Sequence, residues 1–382
     1  MASRVPPSSK PNGMEGNTSP PRGQQQQQQQ SILPQRLPTL SIDTSSVATA
    51  GCSNTADFAT QFHVAFSSLV TGACIFSGQP FHCAVTRFPG DYLLPKTPST
   101  SSGAHCSGCP ENSTLIYDHC KNHPQWVDVN VLAHYAETAA HVDDPIANLM
   151  NARVFAFGPS HDRCYRNGSM ENVAHFYRRY AKKGAQVKLV VDQPFPHTLP
   201  TNTTPYFNSS NPAGYDGPGE CLRHIWGHRN PIVPALPKLP RGSHWKVIDQ
   251  REFLIDNEGH SFRGSGMSEL GWLFLPPSCE AAHTACKLLI LPGGCVPPFS
   301  GTGGATDDFA RYAIVNQIVI LLPCAGWPVD LKRFPQNHEN RRGMVDVYGQ
   351  LAPEYATQLG GQMQPIGRMV RRLIGSEDLL HV

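Results

Sequence analysis

The chain predicts an α/β fold: a mainly parallel sheet with helices on both faces. Three observations point there. Short, mainly apolar runs, such as "RVFAF" (153–157), "QVKLVV" (186–191) and "IVILLP" (318–323), read as buried strands. Segments with helical spacing alternate with them, as crossover connections between parallel strands require. Hydrophobic residues make up 40% of the 382, enough for a sizeable core.

The elements follow in order. Residues 1–36 are rich in Pro, Ser and Gly and carry seven consecutive glutamines, Gln24 to Gln30, so this tail is expected to be disordered. Residues 37–382 are expected to form a single domain. Ser45–Gly51 reads as a strand, and Asn54–Ser67 as a helix with Phe58, Phe62, Ala65 and Phe66 on one face. Val70–Phe76 is a second strand. An irregular insert rich in Ser, Thr, Gly and Pro falls near 96–113. After the strand 153–157, Glu171–Lys183 spaces Val173, Phe176, Tyr177 and Tyr180 as a helix, with Gly184 placed to end it. After the strand 186–191, residues 216–226 suggest a helix and 228–243 a Pro-rich loop. Strands follow at 271–276, 286–295 and 318–323, with a helix over Asp307–Asn316 between the last two and a closing helix from about Gln362 to Ile374.

Composition excludes several classes. A net charge of +2 offers no surface for nucleic acid or an anionic membrane. No apolar run approaches the ~20 residues of a membrane span. Twelve cysteines, with the sequons at Asn112, Asn167, Asn202 and Asn208, favour an oxidising compartment. The N-terminus shows no charged stub followed by an apolar core, so no signal peptide is read there and a cytoplasmic location stays open.

"GCSNT" (51–55) opens the chemistry. A buried strand turning sharply into a helix can expose a nucleophile above the sheet, provided the flanking residues are small. Gly51 suits that turn before Ser53, but Thr55 stands where a second glycine is usual. Taken alone, Ser53 reads better as a helix cap. Two further strand ends shift the balance. Asp162 follows "RVFAF" and His197 follows "QVKLVV", and functional groups in α/β sheets collect at the carboxyl ends of strands. The order Ser53, Asp162, His197 is that of α/β-hydrolases, although Asp162 could cap the next segment and His197 is one of 17 histidines. Acyl transfer also needs paired N–H donors for the oxyanion. Asn54 supplies one, and Cys295 in "LLILPGGCV" the other. In an ordinary hydrolase the Gly-rich loop precedes the nucleophile; here it follows the histidine, so the sheet is predicted to be circularly permuted.

The arrangement, with "GCSNTADFATQFHVAFSS", "GQPFHCAVTRFP", "DDPIANLMNARVFAFGPSHD", "HTLPT", "NPAGYDGPGECLRHIWG", "VIDQREF", "GWLFLPPSCEAAHTACKLLILPGGC" and "PEYATQLGGQM", resembles the extracellular poly(3-hydroxybutyrate) (PHB) depolymerases of the permuted type, over about residues 38–375. The resemblance implies a secreted serine esterase: Ser53 the nucleophile, His197 the base, Asp162 its orienting acid, Asn54 and Cys295 the oxyanion donors. It implies a polyester or small ester substrate, a monomer, and no metal or organic cofactor. The sequence departs from that family at Thr55 (Gly there), at Gly293 (usually His) and in "RRGMVDVYGQ", where Met344, Val345 and Val347 replace Cys or Trp. The first departure predicts a strained or reshaped elbow. The competing readings are a binding protein on the same fold that has lost activity, a zinc site from Cys106, Cys109, Cys120 and His123, and Cys52 as nucleophile.

Overall fold

The computed structural model describes residues 33–86, 88, 120–202, 214–240, 244–255, 265–281, 284–294, 305–326, 345–349, 351 and 353–376. The insert expected near 96–113 and most of the expected N-terminal tail fall outside these residues.

Eight strands form one sheet. In chain order they are β1 (Ile42–Cys52), β2 (Gly72–Phe76), β3 (Arg153–Phe157), β4 (Val187–Val190), β5 (Trp245–Asp249), β6 (Leu270–Phe274), β7 (Cys286–Ile290) and, after the two-residue β8 (Gly293–Gly294), β9 (Ile318–Leu322). Their order across the sheet is β4-β3-β2-β1-β7-β9-β6-β5. The first strand of the chain is therefore central. The next three step outward on one side, and the later strands fill the other. All neighbours from β4 to β9 run parallel; β6 is antiparallel to both β9 and β5.

Alternate residues of the inner strands feed opposite layers, the period of two that a pleated strand imposes. On one face Val47, Ala73, Ile75, Val154, Leu288 and Ile290 pack under α1 (Asn54–Ala65), α2 (Val129–Thr138), α3 (Ser169–Arg178) and the closing helix Met363–Ile374. On the other, Ala48, Ala50, Phe76, Phe155, Phe157 and Leu289 pack under the helices Gly217–Ile225 and Ala305–Asn316. Phe58, Phe62 and Phe66 line one stripe of α1, as their spacing predicts, with the rings of Phe62 and Phe66 4.7 Å apart.

Some expectations shift. Strand β1 begins three residues early. Among the elements not anticipated are α2, the edge strand β5 and the short helices Pro145–Leu149 and Pro277–Glu280. Helix α3 ends at Arg178, and Gly184 opens a 3-10 turn instead of capping it. Gln35, assigned above to the tail, exchanges backbone hydrogen bonds with Val247 and Asp249 of β5. No helix among the described residues is long and apolar enough to cross a membrane.

Disulfides join Cys74 to Cys221, Cys83 to Cys120 and Cys279 to Cys286, and Cys164 and Cys324 are disulfide-bonded as well. The Cys83 bond corrects the zinc reading, because it takes the Cys120 sulfur away from any metal. Cys106 and Cys109 lie outside the described residues.

Candidate functional site

Strands β1 to β4 end level with one another, since Cys52 pairs with Phe76, Phe76 with Phe157 and Phe157 with Val190. The ladder continues one residue past the strands: the Ser53 N–H donates to the Phe76 carbonyl and the Gly158 N–H to the Val190 carbonyl. Ser53, Asp162 and His197 thus follow β1, β3 and β4 at the same edge of the sheet.

Ser53 sits at φ 61° and ψ −130°, a region that side chains rarely enter, and its hydroxyl makes no capping hydrogen bond to α1. It is not acting as an ordinary helix cap. The turn is closed by its neighbours. A Cβ at Gly51 would fall 2.2 Å from the Thr55 carbonyl oxygen, so the close approach of strand and helix demands glycine there. Thr55 is different. It lies in the first turn of α1, outside the left-handed region. Its hydroxyl donates to the Cys52 carbonyl and accepts from the Cys52 N–H, both at 2.9 Å. The threonine cross-braces the turn, whose strain sits at Ser53.

Asp162 and His197 meet. Asp162 Oδ2 lies 2.9 Å from His197 Nδ1, with both side chains nearly excluded from solvent. The other carboxylate oxygen accepts the N–H groups of Cys164 at 2.7 Å and Tyr165 at 3.0 Å. Burial alone would raise the Asp162 pKa, but the hydrogen bond and charge of His197 and the Tyr165 amide outweigh it and hold the carboxyl below its ordinary range. The two loops are stitched together, Ser160 N–H to the Gln193 carbonyl and His161 N–H to that of Phe195. A cavity of about 80 Å³, bordered by Ser77, Asp162, Tyr165 and Met170, adjoins the pair.

Asn54 opens α1, so its N–H is among the helix amides without an intrahelical acceptor. Its side chain donates to the Val345 carbonyl at 3.3 Å, tying the elbow to the 345–349 segment. Val345 and Val347 are buried in the core, where they line no open surface. Cys295, the expected second oxyanion donor, lies outside the described residues. The loop leading to it is beside the elbow: Gly293–Gly294 pairs with β10 (Cys324–Ala325), and a Cβ on Gly293 would stand 4.0 Å from the Thr55 methyl. Two of the departures from the resembled pattern, Thr55 and Gly293, thus lie side by side.

Cys52 is a poor nucleophile. The residue keeps some exposed surface, but its thiol is desolvated; that burial and the nearby carboxyls of Asp162 and Asp57 push its pKa far up. Asp162, Cys164 and His197 bring potential ligand atoms within 4.8 Å of one another. The Cys164 sulfur is committed to a disulfide, so a carboxylate and an imidazole are left, short of the usual ligand set of a zinc site.

A central first strand, one reversed strand near the sheet edge and a strained serine above β1 define a circularly permuted α/β-hydrolase fold. Comparison with known proteins agrees on the architecture. Two solved structures match 90% of this chain and 99% of their own, each at 20% identity: a PHB depolymerase variant complexed with an R3HB trimer (TM-score 0.65) and the PHB depolymerase from Penicillium funiculosum (TM-score 0.64). Among curated proteins, a poly(3-hydroxybutyrate) depolymerase from Delftia acidovorans is 26% identical over 352 residues, 88% of this chain. A polyhydroxybutyrate depolymerase from Talaromyces funiculosus is 23% identical over 305 residues, covering 76% of this chain and 77% of the relative. The chain spans 61% of the length of the Delftia protein. No family model matches it.

Proposed function

We propose that the protein is a serine esterase that cleaves PHB, or related short hydroxyalkanoate esters, through an acyl-enzyme. The observation that carries this reading is Ser53, a non-glycine residue held at positive φ at the edge where the Asp162–His197 pair forms. Strain of this kind persists where the surroundings over-determine it, and it clusters at active sites.

In this mechanism Asp162 holds the proton of His197 on Nδ1, leaving Nε2 as the base. His197 takes the Ser53 proton as Oγ attacks the ester carbonyl. The tetrahedral oxyanion is met by the N–H groups of Asn54 and Cys295. His197 then protonates the leaving hydroxyl, and water attacks the acyl-enzyme by the same route, releasing the 3-hydroxyacid and regenerating Ser53. None of these steps calls on a metal or organic cofactor. The disulfides and sequons support an extracellular location; the same reading takes residues 37–382 as a single catalytic domain acting as a monomer. Thr55 bracing the elbow removes the main reason to favour a binding protein without activity.

Purified protein is expected to hydrolyse 3-hydroxybutyrate oligomers and p-nitrophenyl esters, and Ser53→Ala to fall to background. Equal rates for the two proteins would remove Ser53 from the mechanism.

A further inference from the structure

Tyr165 and Asp57 stand outside the triad but touch all of it. The Tyr165 N–H donates to Asp162. The Tyr165 ring lies parallel to the His197 imidazole, with 8° between the planes and 5.5 Å between centroids. Its hydroxyl donates to Asp57 Oδ2 at 2.6 Å, joining residues 108 positions apart. Asp57 lies in the first turn of α1, and its backbone N–H in turn donates to the Ser53 carbonyl. Asp57 is 1% exposed and Tyr165 5%. One buried residue therefore spans all three: its backbone holds the acid, and its side chain lies against the base and reaches the helix that carries the nucleophile.

We propose that Tyr165, anchored by Asp57, is a positioning residue that holds the His197 imidazole in the plane and at the distance proton transfer from Ser53 requires. The proposal rests on the serine-esterase reading above. Asp162 grips one atom of His197 and leaves rotation about that contact unopposed; a parallel ring against the imidazole face blocks it. When His197 becomes imidazolium, the charge lies over a π face within the ~6 Å at which such contacts act. The short bond to Asp57 fixes the phenol relative to Ser53, so the elbow and the base move as one body. Catalytic groups need placement within about 0.5 Å, and a misplacement of about 1 Å can cost on the order of a hundredfold in rate.

The test measures steady-state hydrolysis of a short p-nitrophenyl ester by the full chain carrying Tyr165→Leu, Tyr165→Phe, Asp57→Asn or the last two together, with His197→Ala alongside. Tyr165→Leu is expected to lower kcat by roughly 30- to 100-fold with KM within about twofold, the split expected of a residue that acts through His197. Tyr165→Phe keeps the stacked ring and loses only the anchor, so kcat falls about 3- to 10-fold, and Asp57→Asn does the same. The double variant is no slower than either single, since both remove one bond. If Tyr165→Leu does not fold, the two near-isosteric variants carry the test. Parental kcat in Tyr165→Leu, or single losses that multiply in the double variant, overturns the proposal while leaving the esterase reading intact so long as His197→Ala is inactive. Parental activity in His197→Ala sinks that reading and this proposal together.

Discussion

Replacing Ser53 with glycine is expected to stabilise the protein while abolishing its activity. A non-glycine residue at φ 61° and ψ −130° carries strain of order 1–3 kcal/mol. Glycine enters that region freely but loses more conformational entropy on folding, which offsets roughly 0.5–1 kcal/mol. The net gain is about 1 kcal/mol and at most ~2.5. Ser53→Ala is the proper reference, since alanine lacks the hydroxyl but meets the same backbone demand. For a folded domain of this size, ~1 kcal/mol moves Tm by roughly 1–2 °C, and the denaturant midpoint rises with m unchanged. Both variants are expected at background in ester hydrolysis. Paired urea titrations and thermal scans give the answer. If Ser53→Gly unfolds at the same midpoint as Ser53→Ala, the backbone at 53 is not strained and the nucleophile-elbow argument loses its physical basis.

Three other outcomes follow from the same geometry. Asp162→Asn keeps the shape of the pair but favours the wrong imidazole tautomer, so kcat is expected to fall by about three to four orders of magnitude with little change in KM, read by initial rates. Gly51→Ala drives a methyl into the backbone of Thr55 and Ala56 and is expected to cost a few kcal/mol in chemical denaturation, roughly 1–3 or more, and to lower activity as the elbow shifts. Burial pushes the His63 pKa down to about 3, so the folded state keeps this histidine neutral where the unfolded chain protonates it. Its contribution to stability is complete above the unfolded value of ~6.5 and is lost as pH falls from there toward 3; titrating the denaturant midpoint over that range is expected to show a slope that His63→Gln flattens.

Much of the architecture was legible because the inner strands are buried on both faces. Residues 153–157 and 318–322 read as strands with no help from context. β5 escaped because "WKVID" mixes polar and apolar residues at the sheet edge, where Lys246 and Asp249 remain partly exposed. Helix α2 escaped because "VNVLAHYAET" carries two β-branched valines and buries a narrow stripe of Val129, Leu132, Ala133 and Ala136. Ser53, Asp162 and His197 could be picked out as suitable groups at three strand ends. What the sequence could not show is what holds them. The Tyr165–Asp57 bond spans 108 residues and the Asn54–Val345 bond 291, and neither leaves a periodic trace. Thr55 looked like a defect in a motif. Only its two hydrogen bonds to Cys52 reveal it as a brace.

The central claim is that Ser53 is an activated nucleophile. Labelling the folded protein with a fluorophosphonate and mapping the adduct by peptide mass spectrometry tests it most directly. A single adduct on Ser53, absent in Ser53→Ala and strongly slowed in His197→Ala, is the predicted result. A folded protein that takes no label, or one labelled at Cys52 or elsewhere with Ser53 untouched, contradicts the account.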